Sequence, residues 1–143
     1  YCTIAQKDSC CFLELMRTPF CCAVSKNHRL AGMKELTPAD LNGEYLVMPI
    51  AGISVEMDAF RREVVQRYPT VQIIDSNYYG EDTFMLCEVN PYVLITQQVY
   101  ADIHPNLVTI PLAADYTMPY GLMYAKSPSA ATRQFLEAAK KQR

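Results

Sequence analysis

The sequence predicts an α/β protein in which a mainly parallel or mixed sheet is flanked by helices. Apolar runs suited to buried strands alternate along the chain with segments whose apolar residues recur every three or four positions. This alternation is typical of a layer of strands covered by helices, with right-handed crossovers between parallel neighbours. The chain has 143 residues, 50% of them hydrophobic, which is enough to bury one core.

The strands are predicted where apolar and β-branched residues run together between polar breaks. The first of these runs is nearly continuous from Pro19 to Ser25, as expected for a strand with both faces buried. The predicted strands span residues 19–25, 45–50, 70–74, 92–96 and 107–110, with a last strand inside 116–126.

Two helices are predicted from the residues that would cap them. Thr37, Pro38 and Asp40 have the spacing of a reciprocal capping box around a short helix. Ser54 would cap a longer helix, and Pro69 would stop it. Both helices therefore have a start that the sequence specifies.

Two further helices are predicted later in the chain. Residues 81–89 carry acids at their amino end, which suits the helix dipole. Ser127-Pro128 opens the last helix. The buried stripe predicted for the last helix consists of Ala131, Phe135, Leu136 and Ala139.

Ligands of such sheets collect at the carboxyl ends of the strands, beside the starts of helices. In this chain those places are Pro49–Ser54, Asp75–Gly80 and Ile95–Gln97. The second place sets amide and hydroxyl groups before a helix amino terminus, where backbone N–H groups favour a carboxylate. An ordinary polar loop is the alternative there, and a plain helix cap is the alternative for Ser54. The candidate ligand-binding residues are Pro49, Ile50, Ser54, Asn77, Tyr78, Tyr79, Thr96 and Thr117.

Composition argues against several classes of protein. Thirteen basic and fifteen acidic residues give a net charge of −2, which offers no general affinity for nucleic-acid phosphates. No apolar run is long enough to span a membrane, and the start of the chain lacks the pattern of a signal peptide. The six cysteines include two adjacent pairs and no Cys-x-x-Cys, so we expect reduced, apolar cysteines in a cytoplasmic protein. Neither a metal nor another cofactor is expected.

Catalytic chemistry finds no support in the sequence. A cysteine nucleophile needs a base, and His28 and His104 are the only histidines. Both follow turn residues, so each is interpreted as a solvated turn histidine. Gly-rich phosphate loops, Gly-x-Ser-x-Gly and His-Glu-x-x-His do not occur. We therefore expect no catalytic residue and no enzyme activity.

The segments Cys22–Ala31 and Leu36–Gly43 together resemble the effector-binding domain of LysR-type transcriptional regulators. That family usually shows an apolar strand, a turn with His-Pro-Leu-Ala, and a short helix that ends in Asp-Leu-x-Gly. This chain keeps the order of these pieces, with Arg29 where the family usually has Pro.

The resemblance implies two α/β lobes joined by two crossing strands, similar to periplasmic binding proteins. Residues 1–24 would end the first lobe and form the first crossing strand, 25–118 would form the second lobe, and 119–143 would supply the return strand and a last helix. Most of the first lobe would then lie outside this chain. The missing initiator Met agrees with a processed or excised piece.

The function that the resemblance implies is that of a ligand-sensing regulatory domain. It would bind a small effector, with a carboxylate expected, and would assemble as a homodimer or a higher oligomer. DNA would be reached only through a helix-turn-helix domain absent from this chain, and no membrane would be involved. A solute-binding protein or transporter-associated domain of the same architecture is the alternative. A small α/β enzyme is a third reading.

Overall fold

The computed structural model describes residues 9–77 and 80–141. Within them the chain forms a six-stranded sheet and three α-helices, with short 3₁₀ turns at Pro38–Leu41 and Gln98–Tyr100. The strands are β1 Cys10–Ser25, β2 Tyr45–Pro49, β3 Gln72–Ser76, β4 Tyr92–Gln97, β5 Leu107–Pro111 and β6 Thr117–Ala125. The helices are α1 Val55–Arg67, α2 Glu81–Val89 and α3 Ala130–Lys140.

The sheet is mixed, which confirms the predicted α/β class. Its strand order is β3-β2-β4-β1-β5, and β6 pairs with β1 outside this path. Strand β2 runs parallel to β3 and β4, whereas β1 is antiparallel to β4, β5 and β6. Among the six strands, those that pair in parallel are the ones that α1 and α2 connect, because parallel neighbours need a long crossover such as a helix.

The sheet has a core on each face. Phe20, Cys22 and Val24 of β1 belong to the larger cluster, together with Phe60 of α1. Ala23 of β1 belongs to the smaller cluster, on the side of α2. Because alternate residues of a strand point to opposite faces, the two helices lie on opposite sides of the sheet.

The first strand is longer than the sequence predicts. It begins at Cys10 rather than at residue 19, and its first half pairs with β6 as a two-stranded ribbon. Register shifts between Glu14 and Met16, as at a β-bulge. Gly121 pairs with Glu14, and a Cβ atom there would clash with the Leu13 carbonyl oxygen. The ribbon therefore needs glycine at that position.

The caps form largely as predicted. The Asp40 carboxylate accepts hydrogen bonds from the Thr37 N–H and hydroxyl, both at 2.7 Å, and a capping box is present. Ser54 Oγ accepts from the Met57 N–H at 3.2 Å, and α1 ends at Arg67, two residues before Pro69.

The last helix lies where it was predicted, but its stripe is not buried as expected. Leu136 is buried, whereas Phe135 is 60% exposed and Ala131 is exposed. The prediction of a buried stripe is therefore wrong for the described residues. Amphipathic spacing predicts that one face of a helix is able to pack against a core. No described residue packs over Phe135 closely enough to bury it.

His28 also departs from the sequence interpretation, because it is buried rather than solvated. Its Nε2 lies 3.4 Å from Glu44 Oε2, and its Nδ1 accepts the Leu30 N–H at 3.2 Å. Arg29 binds Glu44 Oε1 at 2.5 Å and the Asp40 carbonyl oxygen at 3.0 Å. His28 and Arg29 thus tie this turn to the start of β2, so a structural role accounts for both.

Candidate binding site

A cavity of about 290 Å³ opens at the carboxyl ends of β2 and β4. The loop before α1, the 3₁₀ turn after β4 and the ribbon of β1 and β6 surround it. Cavities of this size and place bind small molecules in open α/β sheets. Its lining includes Glu14, Ser54, Glu56, Gln97, Tyr100 and Tyr120.

The loop before α1 is held in place by its own carboxylates. Gly52 has φ +89°, and its N–H donates to both Asp58 carboxylate oxygens, at 3.0 and 3.2 Å. Ser54 caps the helix through Met57 and donates its hydroxyl to Glu56 Oε2 at 3.0 Å. Acidic groups of the chain itself therefore occupy this helix start.

Gln97 lines the cavity and carries an unpaired buried polar group. The residue is only 2% exposed, and its Nε2 donates to Met118 Sδ at 3.2 Å. No hydrogen-bond partner for its Oε1 is present among the described residues. A buried acceptor without a partner costs free energy unless something supplies a donor.

Thr18 is a second unpaired group on the same face of the sheet. It is fully buried, and its Oγ1 has no partner among the described residues. Phe20 pairs with Gln97, and Thr18 lies two residues before Phe20 and pairs with Met118. Thr18 and Gln97 therefore point to the same side of the sheet.

Both charged residues that line the cavity are acidic. Arg17 lies 3.2 Å from Glu14 Oε2 and 3.6 Å from Glu56 Oε1, and its Nε donates to Thr117 Oγ1 at 3.0 Å. One guanidinium thus faces two carboxylates, so the three side chains together keep a net negative charge.

Two tyrosines flank the cavity. The rings of Tyr100 and Tyr120 meet edge to face, with centroids 6.5 Å apart. Burial, and secondarily Tyr120, raises the pKa of Tyr100 above its usual range. Its hydroxyl therefore stays neutral at physiological pH.

Of the eight candidate ligand-binding residues predicted from the sequence, some line this cavity and others do not. Ser54 lines it. Pro49 is buried and its carbonyl oxygen accepts from Arg61 at 2.6 Å, while Ile50 donates its N–H to the Ser76 carbonyl oxygen at 3.1 Å. Asn77 is exposed after β3 and is not among the lining residues. Tyr78 and Tyr79 lie outside the described residues.

Thr96 and Thr117 each lie one residue from a residue that lines the cavity. Thr96 pairs with Cys21, so it faces the α2 side, and the next residue, Gln97, faces the cavity. Thr117 is exposed and holds Arg17, and Met118 after it lines the cavity. The sequence did carry a signal for Gln97, because it is the polar member of the series Val93, Ile95, Gln97 on one face of β4.

Other chemistry in the described part of the chain is limited. Residues 9–77 and 80–141 contain no group of three or more His, Cys, Asp or Glu side chains that could hold a metal ion. Cys11, Cys21, Cys22 and Cys87 are unbridged. Burial raises the pKa of the Cys22 thiol far above its usual range and raises the pKa of Cys87 to about 12. Thiols held protonated are poor nucleophiles. In the same residues, no helix combines the length and apolar character that crossing a bilayer requires.

Comparison with solved structures finds the same fold in LysR-type regulators. The effector-binding domain of QuiR in complex with shikimate superposes with a TM-score of 0.71 at 16% identity, over 97% of this chain and 68% of that one. The regulatory domain of CcmR from Synechocystis PCC6803 in complex with 2-PG gives 0.68 at 16% identity, over 92% and 65%. CbnR, a LysR family transcriptional regulator, gives 0.69 at 13% identity, over 94% and 48%.

These likenesses confirm the predicted fold, which this chain shares with the QuiR and CcmR domains. The sequence matches no protein-family model and no curated protein. The chain spans about half the length of CbnR and about two thirds of the CcmR and QuiR domains.

Proposed function

We propose that this chain is the ligand-sensing part of a LysR-type transcriptional regulator and binds a small effector in the cavity beside Gln97. The observation that carries the proposal is the buried, unpartnered Gln97 amide oxygen beside a cavity at the carboxyl ends of parallel strands. The regulators with the same fold, QuiR and CcmR, were solved in complex with shikimate and 2-PG.

The proposed division of the chain follows the ribbon. Residues 1–24 and 119–143 would connect to a first lobe, and residues 25–118 would form the second lobe. The exposed apolar side chains of the ribbon support this division, because a further lobe would cover them. They are Phe12, Met16, Tyr120 and Met123.

The proposed mechanism is a shift between arrangements of the lobes or of the subunits of a homodimer. An effector changes that balance only if its affinity differs between the arrangements. Helix-turn-helix domains joined to the sensing domains would carry the change to DNA in the cytoplasm. The chain itself would neither catalyse a reaction nor bind DNA directly.

The sequence-based expectation of a carboxylate effector is kept as part of this proposal. Shikimate, the ligand of QuiR, is a carboxylate. In this chain the segment with Asn77 and Gly80, before the start of α2, would receive such a group. The cavity residues Ser54 and Gln97 would hold the rest of the molecule.

A thermal-shift screen of small metabolites tests the proposal. A ligand at about 100 times its Kd should stabilise the chain by about 2.7 kcal/mol. Met123→Trp should abolish this shift, because the larger side chain fills the cavity from a residue that is already partly exposed.

Met85→Trp is the matched control. Met85 is a similarly exposed methionine on α2, which lies on the opposite side of the sheet. The proposal fails if no metabolite stabilises the chain, or if the shift survives Met123→Trp unchanged.

A further inference from the structure

We infer that the cavity takes a protonated amine of the effector, held by Gln97 between the carboxylates of Glu14 and Glu56. This inference rests on the proposed function, and it names the chemical group that the cavity selects. The hydrogen-bond inventory of the cavity, its charge and its apolar walls each point to such a group.

The unpaired hydrogen-bonding group of the cavity is an acceptor, so a ligand must supply a donor to it. Gln97 Oε1 is a buried acceptor to which no described residue donates. A carboxylate has no proton to offer this atom, whereas an ammonium group offers three. Gln97 can turn its oxygen toward the cavity at small cost, because within the described residues its amide donates to the Met118 sulfur, a weak acceptor.

The net charge of the side chains around the cavity favours a cationic ligand group. Glu14 and Glu56 line it, and Arg17 compensates only part of their charge. Positive charge near two partly buried carboxylates is stabilised more than it would be in bulk water. An anionic group at the same place would be repelled.

The start of α1, beside the cavity, also favours a cationic over an anionic ligand group. The N terminus of α1 would ordinarily attract an anion, but Glu56 and Asp58 already lie in its first turn. A ligand carboxylate there would be repelled by these two carboxylates. The effector's own carboxylate, where it has one, therefore belongs at the Asn77 side rather than here.

The remaining walls suit a short alkyl chain. Phe12, Ile53, Val55 and Met123 line the cavity with apolar surface. The neutral hydroxyl of Tyr100 lies in the same lining and adds no charge. An amine carried on a few methylene groups matches both the polar and the apolar parts of the cavity.

The test compares three probes that carry different head groups on the same five-carbon chain: pentylamine, 1-pentanol and hexanoate. Ligand-observed NMR titrations at neutral pH measure the Kd of each probe for the full chain. We expect pentylamine to bind at least about tenfold more tightly than the other two, since a hydrogen bond to a charged group contributes that much.

Variants then assign the selectivity to named side chains. Gln97→Leu should weaken pentylamine binding about tenfold, and Glu14→Gln and Glu56→Gln should each weaken it several-fold. Glu35→Gln removes the same charge from an exposed residue outside the cavity lining and should leave the Kd unchanged. Gln97→Leu should not lower the midpoint of urea unfolding, because it removes an unpaired buried acceptor; lost binding is then not lost folding.

The outcomes separate this inference from the proposed function. Hexanoate binding as tightly as pentylamine, with both lost in Met123→Trp, overturns the amine while the cavity stands as the effector site. Pentylamine binding that is unchanged in Gln97→Leu and Glu56→Gln overturns it as well. Absence of binding by all three probes also overturns the amine, and the metabolite screen then decides the proposed function independently.

Discussion

The two halves of β1 carry similar side chains into opposite environments. In its second half Phe20 is fully buried against Phe60 and Tyr116, with ring centroids 5.6 and 5.8 Å away. In its first half Phe12 is 41% exposed and Met16 is 48% exposed. The strand thus leaves a packed body and continues as a ribbon whose apolar surface the described residues do not cover. An apolar sequence shows that a surface can be buried. Whether it is buried depends on the segment that packs against it.

The largest expected effect comes from truncating the two phenylalanines of this strand. Phe20→Ala should lower the free energy of unfolding by about 3–5 kcal/mol, because it empties the centre of the aromatic cluster. Phe12→Ala should cost less than about 1 kcal/mol, because an exposed side chain leaves no cavity. Urea unfolding of both variants measures the difference. Equal losses would show that the ribbon is packed in solution as tightly as the body.

The next effect concerns the bulge that separates the two halves. Gly121→Ala would place a methyl group against the backbone of Leu13, which cannot move aside like a flexible side chain. We expect a loss of about 1–3 kcal/mol from this overpacking, together with weaker ligand binding, because Gly121 and Glu14 both line the cavity.

Gly32→Ala is the control for that experiment. Gly32 has no atom within 4 Å of a Cβ built on it, so the substitution should leave both stability and binding unchanged. If Gly121→Ala behaved like this control, the ribbon would not be closely paired at the bulge in solution.

The body of the fold was largely predictable because its signals are local. Ser54 and Thr37 specify helix starts, α2 was bounded correctly at 81–89, and the apolar runs of β2 and β4 identify buried strands. The ribbon was not predictable, because residues 10–18 form a strand only by pairing with β6. The paired residues of β6 lie about a hundred positions further along the chain. Long-range pairing of this kind leaves little trace in local periodicity.

The sequence predicted the end of the sheet at which the cavity lies but not most of the side chains that line it. The sequence pointed to the carboxyl ends of β2 and β4, where the cavity lies. It favoured Thr96 over Gln97, and a shift of one residue in a strand turns the side chain to the opposite face. Glu14 was missed because its place in the lining depends on the ribbon and its bulge.

The smallest expected effect compares the caps of a covered and an uncovered helix. Ser54 caps α1 and Ser129 caps α3, and each Oγ accepts the N–H three residues ahead at 3.2 Å. Ser54→Ala should lower the global free energy of unfolding by about 1 kcal/mol, because α1 buries Phe60 and Val64 in the core and cannot open alone. Ser129→Ala should cost less in the same measurement, because α3 buries only Leu136 and can fray without the body.

Hydrogen exchange distinguishes the two cases further. In Ser129→Ala, protection should fall only in the amides of α3, whereas in Ser54→Ala it should fall throughout the body. If Ser129→Ala instead lowered protection throughout the sheet, α3 would be part of the cooperative core in solution. The contrast between the covered and the uncovered half of the molecule would then disappear.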